Sequence, residues 1–395
     1  MLTTLLLATS ISMPHPPATA HAMAPSLCST DRGVWATWLE PAAAHATATS
    51  DDVWRLRISR CDGAAWAPPR TITQRRDFFV NWADTPQIAV AGNGALVATW
   101  LQKSGPDTYA YDIGVARSTD DGQTWTMLGT LNDDRTQTEH GFVSMVPEGD
   151  GVRAVWLDGR GMSAGGHDDH GHGGGDMTLR TALITDAVGP STRLDDRTCE
   201  CCPTTMARTR TGVVAAYRDR SVDERRDIAV VRLGEDGWTA PADPWPDNWE
   251  INGCPVNGPA ADADGLRVAV AWFTGGPRPG VRIMTSEDGG VTFDEPITFA
   301  GDEALGRVDV AWPAGGDPIV VWLSEGPADD TTHTLTMGTL QSGGDAPVNV
   351  AAVEAGRRSG YPRIAALPDR RCLIVWTARD RQKGLNARLT AMAAD

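Results

Sequence analysis

Three thiols lie within four residues, in Cys199-Glu200-Cys201-Cys202-Pro203, and a fourth follows in Asn252-Gly253-Cys254-Pro255. Alternation along an extended chain puts Cys199 and Cys201 on one side, and the turn at Pro203 can bring Cys202 round to join them. Sulfur at that density suits a soft ion. Thiolates select Cu(I) or Zn; Zn asks for a closed tetrahedral set, whereas Cu(I) settles for two or three ligands. Imidazoles extend the candidate set: His140 in Glu139-His140-Gly141, and His167, His170 and His172 in the Gly-rich tract GGHDDHGH over 165–172. A Gly- and His-rich tract alone often binds metals adventitiously, so the thiols carry the metal reading. The competing chemistry is disulfide formation in an oxidising compartment, Cys254 with one of the triplet and Cys28 with Cys61. With 7 cysteines in all, a monomer leaves at least one thiol unpaired. Cys372 opens an apolar strand and reads as core.

What positions these residues is a repeat. Apolar strands ending in an aromatic recur: Val34-Trp35-Ala36-Thr37-Trp38, Leu96-Val97-Ala98-Thr99-Trp100 and Val152-Arg153-Ala154-Val155-Trp156 begin the series. It continues to Tyr217, Trp272, Trp322 and Trp376, with steps of 50 to 62 residues between the terminal aromatics. Each strand follows a shorter one ending in a Gly or Asp turn, and precedes a loop and a third strand such as Asp227-Ile228-Ala229-Val230-Val231-Arg232. A fourth, weaker strand closes most units. Four antiparallel strands per unit of this length is the arithmetic of a β-propeller blade. The repeat also explains why 15 Trp stand against 6 Phe and 4 Tyr, since a flat side chain fills the gap between blade faces. Seven blades are expected, with six as the alternative if the first and last units merge. The last unit has three clear strands, and a strand near the amino terminus could complete it and close the ring.

Two turns are more specific. Ser118-Thr119-Asp120-Asp121-Gly122-Gln123-Thr124-Trp125 and Ser286-Glu287-Asp288-Gly289-Gly290-Val291-Thr292-Phe293 both fit Ser-x-Asp-x-Gly-x-x-aromatic, with degenerate copies at 59–66 and 235–238. The Asp would accept from turn N–H groups while Gly supplies a positive φ. These turns resemble the Asp-box, or BNR, repeat of the sialidase superfamily. The resemblance implies a propeller and places the motif away from any active site. It also implies a place to look for a carboxylate clamp, because sialidases use three arginines, a Glu-activated Tyr and an acid/base Asp. Arg307 and Arg363 stand early in the first strands of the sixth and seventh units, and Arg218 follows the aromatic of the fourth. The Phe/Tyr-Arg-Ile-Pro motif expected near the amino terminus is absent, and no Tyr has a Glu at a spacing that marks it as an activating base. Ion pairing on strand ends is the plainer role for these arginines.

In a propeller, the loops joining second to third strands, and each fourth strand to the next first, converge on one face. The triplet, Cys254 and His140 fall in the second kind of loop, and the 165–172 tract falls in the first kind. They share one face across three consecutive blades. With 51 acidic against 35 basic side chains, a net −16, the chain lacks the cationic balance that nucleic-acid binding requires. Leu2 to Ser12 is apolar but short, and Ala20-His21-Ala22 follows as a small-x-small pattern. Residues 1–22 therefore read as a secretory signal lacking a preceding Lys or Arg, and 23–395 as one propeller domain. No other stretch is apolar for long enough to span a membrane. The expectation is an all-β, monomeric propeller exported to the periplasm or beyond, binding copper or zinc through its channel-face thiols. A sialidase-type exo-glycosidase is one alternative. A platform with structural disulfides that binds a protein or glycan is another.

Overall fold

The computed structural model describes residues 9–11, 13–43, 52–162, 175–327, 331–340 and 346–391. Seven four-stranded antiparallel sheets are arranged as blades, so the expectation of seven is met and the six-bladed alternative falls. The blades span 23–75, 87–130, 140–195, 205–238, 260–300, 304–354 and 363–391, the last taking its fourth strand from Thr9–Ile11. That strand pairs with the third strand of blade seven in the register Thr9 to Ala391, Ser10 to Thr390 and Ile11 to Leu389. Both chain ends thus meet in one sheet, and blade seven keeps no bare outer edge on its third strand. The first strands of neighbouring blades touch all the way round, including blade seven against blade one, and enclose the channel.

Each interface between neighbouring blades holds its own apolar cluster. One joins Val97, Val115 and Trp156 between blades two and three, and another joins Val214, Val270 and Trp272 between blades four and five. The recurrent Trp has a polar end as well as a packing face. Trp38, Trp156 and Trp322 each donate Nε1 to the side chain two residues on, Glu40, Asp158 and Ser324, at 2.9 Å in all three cases. That spacing returns the acceptor to the same face of the strand, so a buried N–H is satisfied locally. Gly114 on the third strand makes room for this ring, since a Cβ there would lie 2.4 Å from Trp100.

Inner strands are also stitched across blades by side chains. Asp262 accepts from Trp312 N at 2.7 Å, Asp309 from Ile364 N at 2.9 Å, and Thr205 Oγ1 from Ala261 N at 2.9 Å. In the turns between third and fourth strands of blades two and five, Asp120 and Asp288 organise the backbone as expected. Asp120 accepts from Gln123 N at 3.0 Å and Thr124 N at 2.9 Å, and Asp288 from Val291 N and Thr292 N at 2.9 Å. Bonds from the Thr124 and Thr292 hydroxyls come first among the causes that hold these carboxyls down at about 2.

The segment before blade one is part of this packing. Met13 and Ala22 are buried between blades seven and one, and Trp66 donates Nε1 to Pro14 O at 3.0 Å. Thr19 N donates to the buried Glu40 at 3.1 Å. The same residues that read as a signal sequence therefore supply an outer strand and part of an interface. Cleavage after Ala22 would remove the strand that completes blade seven in this structure.

Candidate thiol site on the channel face

The triplet is fixed by blade four. Cys199 N donates to Arg218 O at 3.0 Å, which ties the segment to the end of the blade's second strand. The following loop turns back over it with two arginines. Arg226 donates to Glu200 at 2.8 Å, to Glu224 at 2.9 Å and to the Cys199 sulfur at 3.2 Å, while Arg220 pairs with both glutamates. Two carboxylates balance two guanidiniums, so any charge on Cys199 is additional.

The sulfurs converge as expected. Cys199 Sγ lies 3.2 Å from Cys202 Sγ and 3.9 Å from Cys201 Sγ, and one ligand atom from each of the three fits within 4.8 Å of the others. Cys199 and Cys202 are buried and Cys201 is half-buried. Burial alone would push the Cys199 thiol up. Contacts with Cys201 and Cys202 and the Arg226 charge outweigh it and hold Cys199 well below the usual thiol range. Burial, followed by the bond to the Cys199 sulfur, pushes Cys201 and Cys202 up. Asn257 N donates to Cys202 Sγ at 3.4 Å, which fixes that sulfur from the segment leading into blade five.

Cys254 comes from the loop before blade five, is exposed, and reaches a hydrogen bond with Cys201. It stands beside the triplet without joining its tight group. No disulfide joins any of the seven cysteines in this structure. A Cys28–Cys61 bond does not form, because Cys61 packs with Met13 between blades seven and one whereas Cys28 packs between blades one and two. Cys372 is core, as expected.

His140 stands apart from the thiols, in a second cluster with Asp134 and Asp158 whose ligand atoms also lie within 4.8 Å of one another. Its fully buried ring faces Tyr111 O and Thr138 O through Nδ1, both at 3.1 Å, and Asp134 through Nε2 at 3.2 Å, with Asp158 at 3.9 Å. Acceptors at both nitrogens describe an imidazolium. Burial opposes the charge, but Asp134 and Asp158 more than offset it and raise the pKa above 6.5. Arg160 caps the same carboxylates, 2.7 Å from Asp158, so this is a closed ionic network. His167, His170 and His172 lie outside the described residues.

The three arginines do not assemble a clamp. Arg218 is buried and donates to Asn257 O at 2.8 Å, Arg226 O at 2.5 Å and Phe273 O at 2.7 Å, stacked 4.7 Å from Trp249. Arg307 holds the turn at 356–360 through Gly356 O at 2.9 Å and Ser359 Oγ at 2.8 Å, over Trp82. Of the three, Arg363 lines the channel, where it bonds Thr85 Oγ1 at 3.1 Å and faces Asp309. One Tyr–Glu pair does exist, contrary to expectation: the Tyr111 hydroxyl donates to Glu139 at 2.6 Å, joined from blades two and three and fully buried. Asp84 lies close to both; burial pushes its pKa well up and Glu139 adds to this, against a backbone hydrogen bond from Phe142.

Backbone strain gathers on this face. Ala24, Phe142 and Arg307 have φ of 56°, 53° and 54°, each at a bulge near the start of an inner strand, and Val256 has φ 48° just after Cys254-Pro255. For a β-branched residue such a φ is an outlier that its surroundings must enforce. Here the Tyr361 hydroxyl donates to Val256 O at 2.6 Å, and Asn257 is gripped through Arg307 N at 2.7 Å. The face also carries a cavity of about 770 Å³ between blades seven, one and two, with Phe79 and Trp82 on its walls and Lys103, Arg357 and Arg381 at its edge.

No family model matches the chain, and no curated protein matches it. Among solved structures it is similar to the BP39L lectin from Burkholderia pseudomallei, with a TM-score of 0.63 at 9% identity over 95% of this chain and 98% of that one. It is also similar to an ulvan lyase of polysaccharide lyase family PL25, with a TM-score of 0.57 at 9% identity over 97% and 96%. A protein of unknown function from Dyadobacter fermentans gives 0.51 at 11% identity over 97% and 98%. The chain thus shares its propeller fold with these structures, and at these identities the likeness is one of fold alone. Among the described residues, no helix is long and apolar enough to cross a membrane.

Proposed function

We propose that the protein binds a single Cu(I) ion through Cys199, Cys201 and Cys202. The observation that carries this reading is the convergence of three sulfurs within 4.8 Å of one another, with the Arg226 guanidinium 3.2 Å from the Cys199 sulfur. Zn would complete a tetrahedron with a fourth ligand. His140 is held in its own network, and Cys254 stands outside the tight group, so a three-sulfur set suits Cu(I) better. Reduced, anaerobic protein should take up about one Cu(I) per chain in competition with a chromogenic chelator, as such a site implies. Cys199→Ser with Cys202→Ser should take up none. Equal uptake by that double variant, or disulfides within the triplet that survive mild reduction, would refute the reading. Export to the periplasm or beyond rests on the apolar 2–12 stretch and Ala20-His21-Ala22, and intact mass of protein from its native host tests it.

A second reading concerns carbohydrate. The lectin and the ulvan lyase support it through fold alone. The observation in its favour is the cavity with Phe79 and Trp82 on its walls, since flat aromatics stack on sugar rings. Binding of oligosaccharides that is lost in Trp82→Ala would support it, and no binding by folded protein at millimolar ligand would exclude it.

A further inference from the structure

The 770 Å³ cavity between blades seven, one and two has two kinds of wall. Trp54, Phe78, Phe79 and Trp82 supply aromatic rings. Their neighbours hold these rings in place. Phe79 stacks on Tyr111 with centroids 4.3 Å apart, and the Arg307 guanidinium lies 4.3 Å over the ring of Trp82. Trp54 is fully buried, and its Nε1 has no acceptor among the described residues. Rings fixed in this way need little reordering when a flat ligand stacks on them.

The charged part of the lining sets Lys103, Arg357, Arg358 and Arg381 against one carboxylate, Asp107. Glu354 engages Arg358 at 3.3 Å. Lys103, Arg357 and Arg381 pair with no carboxylate among the described residues, in a chain of net charge −16. Arg357 and Lys103 are exposed, whereas Arg381 is half-buried and its guanidinium donates to Arg358 O at 3.4 Å. His21 N donates to Arg381 O at 2.7 Å, which ties down this loop. A guanidinium that has lost part of its water gains most from an anion that replaces it.

The uncharged polar groups narrow the ligand further. Thr108 carries the one hydroxyl among the described lining residues, and no side-chain amide joins it. A sugar enclosed here would leave most of its hydroxyls without partners, each at a cost. A flat apolar body with one anionic group meets both kinds of wall. We infer that the cavity binds an aromatic organic anion, its ring against Phe79 and Trp82 and its charge at Arg381 and Arg357. None of the cavity's cations belongs to the trio Arg218, Arg307 and Arg363. The inference is independent of the metal reading and competes with the carbohydrate reading for one cavity.

Calorimetric titration of the full-length protein with 2-naphthoate, and with the uncharged 2-naphthamide as its isostere, tests this. The acid should bind at about one per chain and about tenfold or more tighter than the amide. Arg381→Gln and the exposed Arg357→Gln should each weaken the acid about tenfold without weakening the amide, and the Arg357 effect should fade at high salt. Trp82→Ala should weaken both ligands. No binding of 2-naphthoate by folded protein at millimolar concentration, or equal affinity for acid and amide, would overturn the inference. Oligosaccharide binding that is lost in Trp82→Ala, with no binding of 2-naphthoate, would overturn it in favour of the carbohydrate reading.

Discussion

His140→Gln separates the ionic network from the thiol site. The imidazolium is fully buried, with carbonyls at 3.1 Å on one nitrogen and Asp134 at 3.2 Å on the other. Gln can keep a donor but not the charge. The variant should therefore lose one charge-assisted bond, about 2–3 kcal/mol near pH 6. The pH dependence fixes the sign. The folded-state pKa is raised above 6.5, so the contribution is complete below about pH 6.5 and is lost as pH rises through the folded value. Urea unfolding of both proteins from pH 5 to 9 should show a stability gap that is widest at the acid end and narrows with rising pH. Cu(I) uptake should be unchanged, since the ring faces Asp134 and not the sulfurs. A gap independent of pH, or a loss of copper binding, would refute the assignment of His140 as a structural cation.

Three further outcomes follow from the fold. Gly290→Ala places a Cβ at φ +80° and 2.7 Å from Val214, so it should cost about 1–2 kcal/mol or more in chemical unfolding; neutrality would contradict the turn geometry. Trp156→Phe deprives the buried Asp158 of one of its donors and should cost about 1–3 kcal/mol, with Arg160 retained; an unchanged urea midpoint would count against it. A chain beginning at Met23 lacks the outer strand of blade seven and the buried Met13 and Ala22. It should unfold at lower urea than the full chain and self-associate through the bared edge, and equal midpoints would mean that Thr9–Ile11 adds nothing.

The repeat was legible because every blade solves the same packing problem with an aromatic at the end of its second strand, and the order of four strands is local in sequence. The convergence of the triplet was legible for a similar reason, since Cys199, Cys201 and Cys202 lie within one turn of chain. Slot equivalence gave the face that Cys254 and His140 share but not the depth or direction of their side chains. Depth is decided by what the next blade offers, and Asp134 and Asp158 draw the His140 ring inward. Arg226 and Asn257, which steady the sulfurs, come from loops with no repeat to mark them. The Tyr111–Glu139 pair depends on the alignment of two neighbouring blades, and no spacing within one blade encodes it. At the amino terminus two local signals compete for the same residues, since a short apolar stretch serves equally as an export signal and as an edge strand.

X-ray absorption of the protein loaded with one equivalent of Cu(I) tests the central claim most directly. Three sulfur neighbours and no light-atom ligand, reduced to a different coordination in Cys201→Ser, is the result that the arrangement of Cys199, Cys201 and Cys202 predicts. A first shell containing imidazole nitrogen, or dominated by oxygen, would contradict it.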